Sequence, residues 1–173
     1  MKPFEELETM PTLCKDVVFE SERLLFRGIA SADADMLIKW RSQEDVYKYT
    51  PNPKPITRTE HEAWFVNYMK NEKALRTIFS NKTSKNDIGM VGGELEDKAF
   101  VLSYYVGEPE YRGKGYASEA IKKLMDFLRG ISYASIFRAN VHKYNEPSIF
   151  CLKKIGFSEI NEENCNIVFE HRG

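Results

Sequence analysis

The chain has 173 residues, enough for one domain with a substantial core and too few for two comfortable ones. Lys and Arg number 25 against 26 Asp and Glu, which argues against a protein that coats nucleic acid, because such binding neutralises phosphates with excess positive charge. The apolar runs are only a few residues long, whereas about 20 are needed to span a bilayer. The start MKPFEELETM is acidic where a signal peptide is basic, so we expect a cytosolic protein that binds no membrane.

The chain offers no metal-binding motif. Its three cysteines are not spaced as metal ligands and cannot all pair with one another, so we expect free, structural thiols. The three histidines are scattered along the chain. These six residues are Cys14, Cys151, Cys165, His61, His142 and His171.

The first third of the chain predicts a strand and two helices. Residues 1–20 show no sustained periodicity, and we expect an N-terminal extension ahead of a single domain at 21–173. SERLLFRGI, at 21–29, is short and apolar and is bounded by Ser and Gly, which is typical of a strand. A helix is expected to begin at Ser31.

Three prolines in TPNPKPIT interrupt the helical pattern. We therefore expect a loop at 41–57 between two helices. Thr57 and Glu60 have the spacing of a capping box, and aromatic residues recur at helical spacing after them, so a second helix should begin there.

The remainder predicts alternating strands and helices. Two strands joined by a polar turn at 81–87, a longer and more buried strand, and a helix at 113–128 come first. Another strand, a helix that starts at Asn145 and ends at Gly156, and one or two last strands follow. The strand sequences are LRTIFSN, DIGMVGGELE, AFVLSYYVG and SIFRANV, with the last strands near 157–160 and 165–170. The order indicates a mixed α/β domain.

GEPEYRGKGYASEA, at 107–120, connects the longest buried strand to a helix. A helix N-terminus exposes unpaired N–H groups and binds anions, and glycines let a phosphate approach them. The stretch matches neither the GxxxxGK[ST] loop nor GxGxxG. From these residues alone, an anion cradle and a plain surface turn both remain open.

Two motifs together point to a family. Arg112, Gly115 and Ala117 resemble the [Q/R]-x-x-G-x-[G/A] pattern of the GCN5-related N-acetyltransferases, the GNAT family. NEPSIFCLKKIGF is similar to that family's N-x-x-[A/S]…GF segment, which here starts at Asn145. SERLLFRG and YRGKGYASEA look most like the branch of ribosomal-protein N-terminal acetyltransferases. The resemblance covers about residues 21–170 and implies a mostly antiparallel sheet of about six to seven strands flanked by about four helices.

The resemblance implies acetyl-CoA as cosubstrate. The pantetheine arm would run beside the strand at 104–106, which includes Tyr105 and Val106, and Asn145 would hold that arm. Ser148 would lie near the thioester sulfur. The pyrophosphate would sit on the backbone amides of Arg112, Gly113, Lys114, Gly115, Tyr116 and Ala117. Lys153 and Lys154 are candidates for the outer phosphate, with a solvated helix face as the other interpretation of Lys154.

The customary acid and base of the family are missing. The position that matches its base is Val101, and the one that matches its acid is Leu152. At pH 7, deprotonating an α-amine of pKa about 7.8 costs about 1 kcal/mol, whereas a lysine costs about 4.6 kcal/mol. We therefore expect a weakly basic amine as acceptor rather than a lysine side chain.

Two residues are candidates for the missing groups. Ser148 is the candidate acid, directly or through a water, with a small helix-start residue as the alternative. Glu94 is the candidate base, with a solvated carboxylate as the alternative. Tyr104 and Tyr105 alternate on one strand, so one of them faces the site unless both serve core packing.

The segment at 31–70 should set the acceptor. Its Trp40, Arg41, His61 and Trp64 form a WR…H…WF layout similar to that of acetyltransferases acting on nucleotide-linked amino sugars. We expect both tryptophans in the core and His61 on the surface. The predicted activity is acetylation of a primary amine, either a protein N-terminus or a small molecule.

Three alternatives stay open. They are acetylation of a nucleotide-linked amino sugar, an inactive acyl-CoA-binding regulator, and an unrelated binding module that mimics the motifs. The sequence leaves a monomer and a homodimer equally open.

Overall fold

The computed structural model describes residues 12–173, which form eight strands and five α-helices. The strands are β1 (Val18–Glu20), β2 (Leu24–Gly28), β3 (Ala74–Asn81), β4 (Asp87–Glu96), β5 (Ala99–Val106), β6 (Ile136–His142), β7 (Ser158–Glu163) and β8 (Asn166–Arg172). The helices are α1 (Ala34–Arg41), α2 (Glu44–Tyr47), α3 (Arg58–Lys70), α4 (Tyr116–Gly130) and α5 (Glu146–Lys154). The predicted fold class is confirmed, with one strand more than the six or seven expected and one helix more than the four expected.

All eight strands join one sheet in the order β1-β2-β3-β4-β5-β6-β8-β7. Every neighbouring pair is antiparallel except β5 and β6, which are parallel. Parallel neighbours need a crossover connection, and α4 provides it. Because α4 starts shortly after β5 ends, its N-terminus lies at the carboxyl end of β5.

The core has a layer on each face of the sheet, because alternate residues of a strand point to opposite faces. On β3, Phe79 packs in the larger cluster, which includes α4 and α5, whereas Ile78 packs in the smaller one beneath α1 and α3. The buried stripe of α4 follows the predicted helical pattern and consists of Ala120, Ile121, Leu124, Met125 and Leu128. Burying each large apolar side chain contributes about 1.5–3 kcal/mol, so these contacts fix α4 on the sheet.

The predicted capping box at the start of α3 is confirmed. The Thr57 hydroxyl accepts a hydrogen bond from the Glu60 amide (3.2 Å), and the Glu60 carboxylate accepts one from the Thr57 amide (2.8 Å). Such a cap is worth about 0.5–2 kcal/mol. It sets the helix start and thereby the positions of the α3 side chains that follow.

Two short elements lie where the sequence predicted none. β1 falls within the predicted extension 1–20, and α2 falls within the predicted loop 41–57. β1 is stabilised by tertiary contacts, since it pairs with β2 and Phe19 stacks between Phe26 (4.6 Å) and Phe127 (4.5 Å). The first eleven residues of the predicted extension lie outside the described part of the chain, and the domain boundary stays a prediction.

The three cysteines are free, and Cys151 is buried. Across residues 12–173, no helix is both long and apolar enough to cross a membrane. The same residues contain no group of three or more His, Cys, Asp or Glu side chains arranged to hold a metal ion.

Candidate active site

β5 and β6 separate along half of their length. Their parallel pairing covers only residues 99–101 of β5 and 136–138 of β6, whereas the two strands run on to Val106 and His142. On its other side, β5 stays paired with β4 as far as Val106. The edge of β5 at 102–106 therefore lacks a strand partner within the described sheet. An extended ligand can add to such an edge as another strand.

The loop before α4 and the first turn of that helix carry a run of backbone N–H groups without a backbone acceptor in the described chain. Gly113 (φ 71°) and Gly115 (φ 79°) both adopt the left-handed conformation that favours glycine. Within residues 12–173, the N–H groups of 113–118 have no backbone acceptor. These donors point away from the helix at the positive end of its dipole, which is an arrangement that binds phosphate.

Arg23 and Glu119 hold this loop in place, a role that the sequence did not reveal. The Glu119 carboxylate accepts hydrogen bonds from Ser21 Oγ (2.7 Å) and from the Arg23 amide (2.8 Å) and Nε (2.6 Å). Arg23 Nη1 also donates to the Lys114 carbonyl (3.1 Å). Burial alone raises the pKa of Glu119, but these hydrogen bonds and the Arg23 charge outweigh it and hold the pKa below its usual value.

The Arg112 side chain points back toward the preceding elements rather than toward the loop donors. Its Nε donates to the Val106 carbonyl (3.1 Å), and its Nη2 donates to Gln43 Oε1 (2.7 Å). Its backbone amide donates to the Pro109 carbonyl (3.1 Å). Arg112 therefore connects the end of β5 to the region of α2, and the free amides begin at Gly113.

Two predicted phosphate ligands have other contacts. Lys153 Nζ pairs with Glu159 Oε1 (2.7 Å), and Lys114 Nζ lies 5.9 Å from the centre of the Tyr111 ring. Both side chains are exposed and long enough to move. Contact of either lysine with a cofactor phosphate stays a prediction.

The start of α5 faces the free edge of β5. Asn145 is the residue before the first helical turn, and its side chain makes no capping hydrogen bond. Ser148 Oγ forms a short hydrogen bond with the Tyr104 hydroxyl. Burial raises the pKa of Tyr104, so the phenol keeps its proton at neutral pH. Leu152, at the position of the customary acid, is fully buried and apolar.

A cavity of about 390 Å³ lies between the sheet and the helices α1, α2 and α3, and residues of β3, β4 and β5 line it on the sheet side. Tyr104 and Tyr105 line it, and Tyr104 thereby connects it to Ser148. A second cavity, of about 460 Å³, lies among residues 95–98 and 129–135 and involves none of the predicted site residues. Tyr104 is thus the residue that joins the first cavity to the start of α5.

The expectations for the aromatic side chains were partly wrong. Trp40 is fully buried, as expected, and its Nε1 donates to Glu108 (2.8 Å). Trp64 is not a core residue, because it is 38% exposed and lines the cavity. His61 is not on the surface, because it is only 4% exposed and also lines the cavity. Burial, helped by the charge of Arg58, lowers the pKa of His61, so its imidazole is neutral at pH 7.

Glu94 lies at the end of β4, opposite Val101 of β5. It is not among the residues that line the cavity, and its Oε2 accepts a hydrogen bond from the Asn71 amide group (2.7 Å). The carboxylate that does line the cavity is Glu60, which is held by the Thr57 amide and by Lys54 Nζ (3.1 Å). The role of Glu94 as a base stays a prediction.

The cavity also contains two arginines that sequence reasoning did not connect. Arg41 lies at the end of α1, and Arg76 lies in the middle of β3, yet both line the cavity beside Tyr105. Only the WR dipeptide singled out Arg41. No local pattern singled out Arg76.

Comparison with known proteins gives the family. The model of the acetyltransferase (GNAT) domain matches residues 23–158. An uncharacterized N-acetyltransferase, p20 of Bacillus licheniformis, is 31% identical over 148 residues, which cover 80% of this chain and 81% of that protein. The chain belongs to the GNAT family of acetyltransferases, as the two sequence motifs implied.

Solved structures share the fold. The ribosomal-protein-S5-alanine acetyltransferase from Vibrio fischeri has a TM-score of 0.72 at 21% identity, covering 91% of this chain and 97% of that one. The microcin C7 self immunity acetyltransferase MccE, in complex with acetyl-CoA and AMP, has a TM-score of 0.73 at 19% identity, covering 88% and 93%. With the family, the chain is an acetyl-CoA-dependent N-acetyltransferase.

Proposed function

We propose that the acetyl group passes by direct attack to a primary amine held in the cavity of about 390 Å³. The observation that carries this proposal is the hydrogen bond between Tyr104, which lines the cavity, and Ser148 at the start of α5. In this proposal, the two hydroxyl groups lie between the bound amine and the thioester. The free edge of β5 at 102–106 gives the acetyl-bearing arm a route to the same place.

In the proposed reaction, the amine nitrogen bonds to the thioester carbonyl carbon, and the carbon–sulfur bond then breaks. The leaving thiolate takes a proton from the Ser148 hydroxyl, the Tyr104 phenol passes its proton to Ser148, and solvent returns a proton to the phenol. The amine loses its own proton to solvent or to the neutral imidazole of His61. Since deprotonating an α-amine at pH 7 costs about 1 kcal/mol, a weak base is sufficient.

Acetyl-CoA is proposed to bind with its pyrophosphate on the free amides of 113–117. The amide side chain of Asn145, which does not cap α5, is the candidate contact for the pantetheine arm together with the β5 edge at Tyr105 and Val106. The left-handed glycines and the dipole of α4 support this assignment.

Two acceptor classes have support. The likeness of fold to a ribosomal-protein alanine acetyltransferase supports a protein N-terminus. A small-molecule amine, such as a nucleotide-linked amino sugar, is favoured by a specific observation. Arg41, His61 and Trp64, which carry the sequence layout shared with such enzymes, all line one cavity.

The test of the reaction is release of free thiol from acetyl-CoA over a library of amines. With an accepted amine, Ser148→Ala should lower kcat by about 100-fold, the low end of what a general acid contributes, and leave the Kd for CoA unchanged. Tyr133→Phe is the matched control, because Tyr133 is buried beside the distant second cavity. Unchanged turnover in Ser148→Ala removes Ser148 from the mechanism.

A further inference from the structure

The arginines of this chain divide sharply by their partners. The sequence has nine arginines, all of which lie in the described residues. Seven of them form ion pairs with Asp or Glu; these are Arg23, Arg27, Arg58, Arg112, Arg129, Arg138 and Arg172. Arg41 and Arg76 have no carboxylate partner within residues 12–173, and both line the cavity beside Tyr105. The two arginines without an ion pair therefore line the same cavity.

Arg41 also has a buried nitrogen without a partner. Its Nη1 is out of contact with solvent and makes no hydrogen bond within the described chain. Leaving a buried donor on a charged group unpaired is costly, and natural structures usually satisfy such atoms. Nη1 of Arg41, like Nε of Arg129, therefore lacks an acceptor in the described chain, and the Arg41 side chain must turn for this atom to meet a ligand in the cavity.

Arg76 is held rigidly and still has free donors. Its Nη1 donates to the carbonyls of Gly93 and, at 3.2 Å, Leu75, which anchors the group on the sheet. Gly92 makes room for it, because a side chain there would collide with the backbone and Cδ of Arg76. Among the described residues, Nε and Nη2 of Arg76 make no hydrogen bond, and the residue lines the cavity.

The two neighbouring carboxylates have other partners, although the charge of Glu94 also stabilises the charged form of Arg76. Glu60 is held by the Thr57 amide and Lys54, and Glu94 is held by Asn71. Burial raises the pKa of Tyr105, and the charges of Arg41 and Arg76 both oppose that shift. The described cavity lining therefore contains two arginines without an ion pair and one carboxylate, Glu60, which already has a lysine partner.

We propose that the acceptor is a small-molecule amine that also carries an oxyanion, a carboxylate or a phosphate, which Arg41 and Arg76 bind. The planar guanidinium matches both oxyanions with paired hydrogen bonds. This inference rests on the proposed function of the cavity as the acceptor site and specifies its substrate class. Polycationic amines should be poor acceptors, since like charges repel in a partly desolvated cavity.

The test uses matched pairs of amines that differ in one anionic group. The pairs are glucosamine 6-phosphate with glucosamine, and alanyl-alanine with its C-terminal amide. Each compound is titrated calorimetrically into the CoA-loaded protein, and thiol release from acetyl-CoA is measured in parallel. The variants are Arg41→Gln and Arg76→Gln, and Arg172→Gln on β8 is the control.

We expect the anionic member of at least one pair to bind about tenfold more tightly than its neutral partner. Arg41→Gln and Arg76→Gln should remove that preference, whereas Arg172→Gln should retain it. The pair in which the anionic member binds more tightly shows whether the site prefers a phosphate or a carboxylate. Thermal unfolding of each variant verifies that it is folded. If Arg76→Gln does not fold, the binding test is decided by Arg41→Gln, which changes a residue at the end of a helix.

Equal binding of both members in both pairs overturns the inference, as does a preference that survives in Arg41→Gln. Absence of binding by all four compounds also overturns it. Thiol release without an anionic preference leaves the proposed reaction intact and removes only the substrate class. If the anionic compound binds more tightly but no thiol is released, the substrate class is supported and the proposed reaction is contradicted.

Discussion

The two proposed halves of the active site differ in whether backbone or side chains form them. The cofactor half is mostly backbone, namely free amides at 113–118, two left-handed glycines and an unpaired strand edge. The acceptor half is mostly side chains, which come from α1, α3, β3 and β5. A backbone site depends on local conformation and accepts many sequences around it. A side-chain site depends on distant elements and can change its substrate while the fold stays constant.

The largest expected effect is a loss of CoA affinity when the loop of the proposed cofactor half is distorted. Val at position 115 must adopt a left-handed conformation that costs about 1–2 kcal/mol, so Gly115→Val should distort the loop and displace its amides. We expect the Kd for CoA, measured by calorimetry, to rise by about 100-fold.

The matched control for that change is Gly130→Val, at the other end of α4. A side chain there meets no atom within 4 Å and needs no left-handed backbone. It should leave the Kd unchanged, and both variants should remain folded by circular dichroism. Retained CoA affinity in Gly115→Val would mean that the phosphate binds elsewhere.

A smaller effect is expected when the residues that support the loop before α4 are changed while its backbone amides are left in place. Glu119→Gln weakens the hydrogen bonds that hold Ser21 and Arg23 against the loop without touching a proposed ligand contact. We expect the free energy of unfolding to fall by about 1–3 kcal/mol and the Kd for CoA to rise only by about fivefold.

Denaturant unfolding and CoA titration measure these two quantities. Glu162→Gln on the exposed strand β7 is the control and should change neither. An unchanged stability in Glu119→Gln would show that the loop does not need this support.

The smallest effect concerns the acceptor half and pH. The pKa of His61 is lowered in the folded chain, so the unfolded chain binds a proton first as the pH falls below about 6.5. Acidification from pH 7 to pH 5 therefore favours unfolding through this residue. His61→Gln should lose less stability over this interval than the parent, as measured by urea unfolding at both pH values. Equal losses in the two proteins would contradict a buried, neutral imidazole.

The elements of the proposed cofactor half were predictable because their signals are local, whereas their role in binding phosphate was implied only by the resemblance to the family. Gly115 before a helix, Asn145 before another and the strand leading into the loop are each determined by neighbours in the chain. The same holds for the Thr57–Glu60 capping box and for most strand boundaries. β1 and α2 were missed because three or four residues carry too little periodicity, and contacts such as Phe19 with Phe127 form only in the folded chain.

The acceptor half was predictable only in part. Arg76 looks like any polar residue of a strand, and its role comes from the missing ion pair and the cavity, neither of which the sequence displays. His61 was expected on the surface because its neighbours in the chain are polar, yet α3 turns it inward toward the sheet. Ser148 and Tyr104 are 44 positions apart, so their hydrogen bond required the fold to bring them together.

The most direct test of the division into two halves is titration of CoA into the parent protein and into the Arg41→Gln and Arg76→Gln double variant. If the cofactor half is built from backbone at 102–106 and 113–118, the double variant should bind CoA with a Kd within about twofold of the parent. A tenfold or greater loss of CoA affinity in a folded double variant would contradict it, because the cavity arginines would then belong to the cofactor half.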